Sequence, residues 1–310
     1  MTQATHKYEP EFSFALLHPR LWFTWLWLGL GWLVAQLPYP VLLFFGKHLG
    51  HLIKATSSSR RHVAEVNLKL CFPEKSELEL NTLLNENFES TGIAVFETLM
   101  SWWSTDKKLK KLVQAEGIEH LEEALKENKG AVLLSAHFTT LEIGGKLLSF
   151  YHPFSALYRK HKNPVFEYIM HRRRNSFTQN AIERGNMRKM IKCLKNNEAV
   201  WYAPDQNYGK EHSIFVKFFG IEASTITATS RIASVYNSPV VPFFQKRLPG
   251  NQGYKLYFYP ALKDFPSNNI EKDTQRINDL IEKEVKKLPE QYLWAHRRFK
   301  TRPTGTTPVY

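Results

Sequence analysis

From about residue 130 onward, short and continuously apolar runs alternate with longer amphipathic stretches, and this alternation restricts the fold more than any other feature of the chain. The runs are Ala131–Ala136, Phe154–Tyr158, Ala199–Ala203, Val240–Phe244 and Tyr254–Tyr259. A strand that is apolar along its whole length needs cover on both faces, as in a parallel sheet with helices packed on each side. Helix starts are expected near Thr140, Pro164, Met187, Thr225 and Asp273. Upstream, Leu78, Leu80, Leu83 and Leu84 recur at helical spacing and are followed by Phe88, Val95, Phe96 and Leu99, so residues from about 56 to 128 read as helices. The expected fold class is therefore α/β, a mostly parallel central sheet flanked by helices. No repeat or low-complexity linker interrupts it, and 310 residues can share one core.

The amino-terminal part has a different character. Between Arg20 and Lys47 there is no charged residue, and Trp22, Trp25, Trp27 and Trp32 lie within the stretch. About twenty apolar residues span a bilayer as a helix, and tryptophan favours the headgroup level. This predicts an N-terminal tail over 1–20, a membrane-anchoring helix over 21–46, and a helical membrane-proximal region with the α/β domain over 47–310. Pro38 and Pro40 end or kink the helix. A helix lying in the interface and a buried core helix are the alternatives. Lys47, Lys54, Arg60 and Arg61 follow the run, which by the positive-inside tendency places the rest of the chain on the cytoplasmic side.

The net charge of +13 suits nucleic acid, anionic lipid or an acidic protein. Aromatic residues do not interleave with the basic clusters as base-stacking platforms would, so no nucleic-acid partner is expected. The two cysteines, Cys71 and Cys193, are far apart and without metal-ligand spacing. No glycine-rich loop precedes a helix as a phosphate cradle. Neither a metal nor a cofactor is expected.

His137-Phe-Thr-Thr-Leu-Glu142 directly follows the first apolar run. It places an imidazole just past a buried strand, where open α/β sheets hold their ligand crevice. Two readings of Glu142 stand at even weight on pattern alone. It could orient the His137 ring and stabilise its imidazolium, or it could close a Thr139-x-x-Glu142 capping box at the helix start. Ser135 is the nearest candidate nucleophile, but no nucleophile motif surrounds it.

A strand followed by HxxxxE resembles the HX4D/E motif of glycerolipid-type acyltransferases. Further blocks, Leu17-His-Pro-Arg20, Gln36-Leu-Pro-Tyr-Pro40, Asn67-Leu-Lys-Leu-Cys-Phe-Pro-Glu74, Trp201-Tyr-Ala-Pro-Asp205 and Glu290-Gln-Tyr-Leu-Trp-Ala-His-Arg-Arg-Phe-Lys-Thr-Arg-Pro303, make the chain similar to the late lipid A acyltransferases of Gram-negative bacteria, and to the lauroyl/palmitoleoyl branch among them. The resemblance implies a glycerolipid-acyltransferase-like fold at the bacterial inner membrane. It implies transfer of a fatty acyl chain from acyl carrier protein to the hydroxyl of a 3-hydroxyacyl chain on a Kdo-bearing lipid A precursor. His137 would be the general base, Glu142 its orienting carboxylate, and Arg159, Asn163, Asp205, Arg297 and Arg298 would bind substrate. Arg172, Arg173 and Arg174, or Lys107, Lys108, Lys110 and Lys111, could dock the acidic carrier protein. The rival functions are an HX4D/E enzyme with another lipid acceptor and a non-catalytic, membrane-tethered binder of anionic polymers.

Overall fold

The structure, a computed structural model, describes residues 11–310. All five apolar runs are strands of one seven-stranded sheet. They are β2 (Ala131–Leu134), β3 (Phe154–Tyr158), β5 (Ala199–Tyr202), β8 (Val240–Arg247) and β9 (Tyr254–Phe258). The short β1 (Val113–Glu116) and β4 (Asn180–Glu183) form its edges, in the order β1-β9-β8-β2-β5-β3-β4. Pairing is parallel throughout except between β8 and β9. Four strands escaped the sequence reading: β1, β4, and the antiparallel hairpin of β6 (Ser213–Phe218) and β7 (Ile221–Ile226). These strands carry exposed or half-buried positions, so they show no continuous apolar run.

Helices cover both faces of the sheet. Val132, Leu134, Val200, Tyr202 and Val240 pack toward α3 (Ser58–Cys71), α9 (Met187–Lys195), α10 (Ala228–Tyr236) and α11 (Ile270–Lys287). Ala131, Leu133, Ala199, Trp201 and Phe243 point the other way, toward α2 (Tyr39–Thr56), α6 (Ile118–Lys126) and α7 (Leu141–Leu148). This is the two-residue alternation of a sheet buried on both sides. The helix starts at Pro164 and Met187 fall where the sequence puts them, with α8 running Pro164–Phe177.

α4 (Glu77–Trp103) contributes to both cores and is the long spine of the molecule. It starts at a complete capping box between Ser76 and Glu79. Deep in the protein its Glu97 accepts Nε of Arg247 at 2.7 Å and Nη2 at 2.8 Å, with the Tyr254 hydroxyl also on Oε1 at 2.8 Å. Burial works against the Arg247 charge, but the Glu97 carboxylate more than offsets it, and the guanidinium stays more basic than usual. A bidentate pair with a third donor meets the condition under which burying two charges is tolerable. It fastens α4 to β8 and β9.

The uncharged N-terminal run does not form one spanning helix. It divides at Pro38 into α1 (Trp22–Val34) and the start of α2. At 1.5 Å per residue α1 reaches only about 20 Å, short of the ~30 Å hydrocarbon layer. Among the described residues no helix is long and apolar enough to cross a membrane. α2 instead buries its face against α4, at a crossing so close that its backbone touches the partner's. A Cβ on Gly92 would lie 2.1 Å from the Gly46 carbonyl oxygen and 2.3 Å from the Gly50 nitrogen. α1 packs beside α8 and leaves Trp22, Phe23, Leu26, Trp27, Leu30 and Leu33 exposed, with Leu26 at 69%.

Gly92→Ala must push the α2–α4 backbones apart, and overpacking of this kind costs about 1–3 kcal/mol. Thermal unfolding is therefore expected to show a lower Tm for Gly92→Ala. Gly29→Ala, where a Cβ meets nothing within 4 Å, should leave Tm unchanged or slightly higher.

Candidate active site

β2 and β5 are parallel neighbours with Leu134 opposite Tyr202. Three residues past that pair, their carboxyl ends set His137 beside Asp205, 68 positions apart in sequence and 2.6 Å apart from Nδ1 to Oδ1. Oδ2 of Asp205 accepts the backbone N–H of His137 at 3.0 Å and the Tyr292 hydroxyl at 2.9 Å. Burial would raise the Asp205 carboxyl, but the His137 imidazole and these hydrogen bonds outweigh burial and hold it down at about 2. Asp205 is thus an ionised, acceptor-only group, so Nδ1 of His137 is the donor and carries the hydrogen. Nε2 is left as the ring's proton acceptor. The His137 side chain keeps 28% of its exposure, while that of Asp205 keeps 2%.

Glu142 is not the partner of His137. It sits in the first turn of α7, where Oε1 accepts the Trp102 indole N–H at 2.9 Å and Arg174 Nε at 3.0 Å. Oε2 takes Arg174 Nη2 at 2.5 Å. The expectation that Glu142 orients the ring is corrected here: the adjacent parallel strand delivers a carboxylate at the level of His137, while α7 carries Glu142 toward α4 and α8. The capping alternative is not realised either. Thr140 is the N-cap and makes no side-chain cap bond, and Thr139 Oγ1 pairs with Ser90 Oγ at 2.7 Å. Ser135 is fully buried with its hydroxyl toward Gln245. Burial pushes the Cys193 thiol up to about 12 and raises Cys71 further, so neither supplies a thiolate.

His137 opens onto a cavity of about 340 Å³ that runs down β3 and β5 beneath α7 and α8. Much of its lining is apolar, including Leu141, Gly145, Phe154, Ala156, Phe177 and Trp201. Its polar groups include Glu142, Arg159, Arg174, Arg184, Gln206 and Tyr208, with Arg184 stacked 4.3 Å over the Tyr208 ring. Arg159 is exposed at the end of β3 and lines the cavity, in reach of a ligand there.

Three other expected binding residues do not line this cavity. Asn163 caps α8, accepting the N–H groups of Val165 and Phe166 at 3.0 and 3.1 Å and donating to Thr24 Oγ1 at 2.9 Å, so its amide is committed to structure. Arg298 is buried and donates to Ser224 O and Thr225 Oγ1, both at 2.6 Å, which fixes the β6–β7 hairpin. Arg297 is exposed and lies 5.9 Å over the Tyr310 ring, away from the cavity walls. The residues the sequence reading missed are Trp102, Arg174 in its pairing role, and Tyr292. Arg174 stood in a triple-arginine run that suggested a docking surface, and Tyr292 lay in the C-terminal block without a spacing that tied it to His137.

Behind the pair, Nε2 of His296 accepts the Asn207 N–H at 3.0 Å, and burial pushes its imidazole down to about 4. The unfolded chain, where histidine titrates near 6.5, therefore binds that proton first, and stability falls as pH drops from about 6.5 to 4. The Asp205 contribution, with its depressed carboxyl, is lost only at still lower pH. Tm is expected to fall between pH 7 and pH 5, and His296→Gln should reduce that fall.

A family model described as bacterial lipid A biosynthesis acyltransferase matches residues 9–301. The chain is 39% identical over 302 residues to the lipid A biosynthesis lauroyltransferase of Escherichia coli (strain K12), covering 97% of this chain and 99% of that protein. It is 38% identical over 301 residues to the palmitoleoyltransferase of the same organism, covering 97% and 98%. To its lipid A biosynthesis myristoyltransferase it is 30% identical over 310 residues, covering 98% and 95%. With matches that run nearly end to end, the chain is an acyltransferase and belongs to the bacterial lipid A biosynthesis acyltransferase family.

Proposed function

We propose that this protein transfers a fatty acyl chain, lauroyl or a similar one, from the thioester of acyl carrier protein to the hydroxyl of a 3-hydroxyacyl chain on a Kdo-bearing lipid A precursor. The observation that carries this reading is the His137–Asp205 pair at the head of an apolar-walled cavity. Nε2 takes the proton of the attacking hydroxyl as its oxygen adds to the thioester carbonyl. The ionised Asp205 stabilises the resulting imidazolium, which returns the proton to the departing thiolate. Attack is direct, because no serine or cysteine stands beside the pair as a nucleophile.

Glu142 takes a different role from the one its motif suggests. It holds Arg174 against the cavity wall, and burial makes that pairing strong, with the guanidinium kept charged despite desolvation. Arg159, Arg174 and Arg184 are then the cavity cations available to the thioester oxyanion or a phosphate of the acceptor. The apolar row on α1 supports action at a bilayer surface. α1 is joined to the start of α8 through Thr24 and Asn163, close to Arg159 at the cavity, so its exposed tryptophans would rest in the interface beside the entrance. The proposed location is the cytoplasmic side of the bacterial inner membrane, and the exposed apolar face of α1 supports its lying in the interface.

The test is mass spectrometry of lipid products from membranes containing the protein, incubated with acyl carrier protein thioesters and a Kdo-bearing tetra-acylated precursor. One added chain is expected, lost in His137→Ala and reduced on the order of 10²–10⁴-fold in Asp205→Asn. A near-normal rate in Asp205→Asn with none in Glu142→Gln would return the orienting role to Glu142. Transfer to a glycerol phosphate and not to the precursor would move the assignment to another lipid acceptor.

A further inference from the structure

The C-terminal block that made the sequence distinctive runs alongside the loop that carries His137. Thr139 N–H donates to Gln291 O at 2.7 Å, Leu293 N–H donates to His137 O at 3.0 Å, and Phe138 and Tyr292 form an antiparallel bridge between them. The helices behind hold this segment in turn. Asn87 of α4 donates to Glu290 O at 3.0 Å and Tyr292 O at 2.7 Å, and Asn67 of α3 donates to Trp294 O at 2.7 Å. Tyr292 is 4% exposed, and its ring meets Phe138 edge-on with centroids 5.8 Å apart. A side chain so confined has one place for its hydroxyl, which is Oδ2 of Asp205 at 2.9 Å.

We propose that Tyr292 is a positioning residue for acyl transfer, its hydroxyl setting the rotation and charge of the Asp205 carboxylate that orients His137. This rests on the general-base reading of His137. Oδ1 faces the imidazole, while Oδ2 is shared by the His137 backbone and the phenol, so the carboxylate plane is set by donors on both oxygens. Removing the phenol donor leaves Oδ2 with one bond. The carboxylate is then freer to rotate and carries more negative charge toward the ring. The other titratable or charged groups facing the pair are Tyr202, Tyr208, His296 and Arg298; of these Arg298 also interacts electrostatically with Tyr292, and Tyr292→Phe leaves all four side chains themselves in place.

Tyr292→Phe deletes one oxygen and keeps the buried ring. The expected result with lauroyl–acyl carrier protein and the tetra-acylated precursor is kcat lower by about tenfold, with KM for both substrates unchanged. A second readout does not depend on activity. Diethyl pyrocarbonate modification of His137, followed by peptide mass spectrometry across pH, should show its midpoint moving upward in Tyr292→Phe. Tyr310→Phe serves as the control, because that phenol donates to Asn67 and not to Asp205. It should lower Tm while leaving kcat and the midpoint unchanged. Wild-type kcat and midpoint in Tyr292→Phe would overturn the proposal, and so would equal losses in both variants. If wild-type membranes transfer no acyl chain, the functional reading fails, and the modification midpoint alone decides the role of Tyr292.

Discussion

The Asp205 carboxylate is the contact on which the rest of the site depends. It is buried and ionised, and it is bound by donors from two other segments: the His137 loop after β2 and the C-terminal strap. A buried charge with too few partners is costly, so the fold is held to the geometry that satisfies this one. The same bonds define the imidazole tautomer, so the satisfaction of the buried carboxylate and the orientation of the ring have one origin.

α4 transmits that order through the molecule. One helix supplies Asn87 to the strap, Ser90 to Thr139 in the His137 loop, Glu97 to Arg247, and Trp102 to Glu142. The spacing of these residues along a single rigid helix keeps the site, the C-terminal segment around Tyr292 and strands β8 and β9 in register. Gly92 lets α2 lie directly against the same helix. The amino-terminal helices are thereby packed into the same body as the sheet, and the exposed face of α1 is a surface of that body.

The HxxxxE pattern thus separates into two electrostatic units. His137 belongs with Asp205, and Glu142 belongs with Arg174 and Trp102. His137 of the first unit and Glu142 and Arg174 of the second line one cavity. Keeping the two carboxylates on different partners avoids competition between them for a single ring.

Sequence alone determined the parts of this protein that follow from local periodicity. Five continuous apolar runs had to be covered strands, His137 had to stand at the end of one, and Pro164 and Met187 had to open helices. Tertiary structure decided the pairings. His137 and Asp205 are 68 residues apart, and only the parallel register of β2 with β5 makes them neighbours, whereas a separation of only four intervening residues made Glu142 look closer than it is. It also decided that the uncharged run over 21–46 would divide at Pro38, with one side packed on α4 and the other exposed, since composition records apolarity without saying what covers it. The basic C-terminal block was legible as a motif, but its arginines and its tyrosine gained their roles from the hairpin and the carboxylate they meet. Those contacts arise only when distant segments of the chain close around a common core.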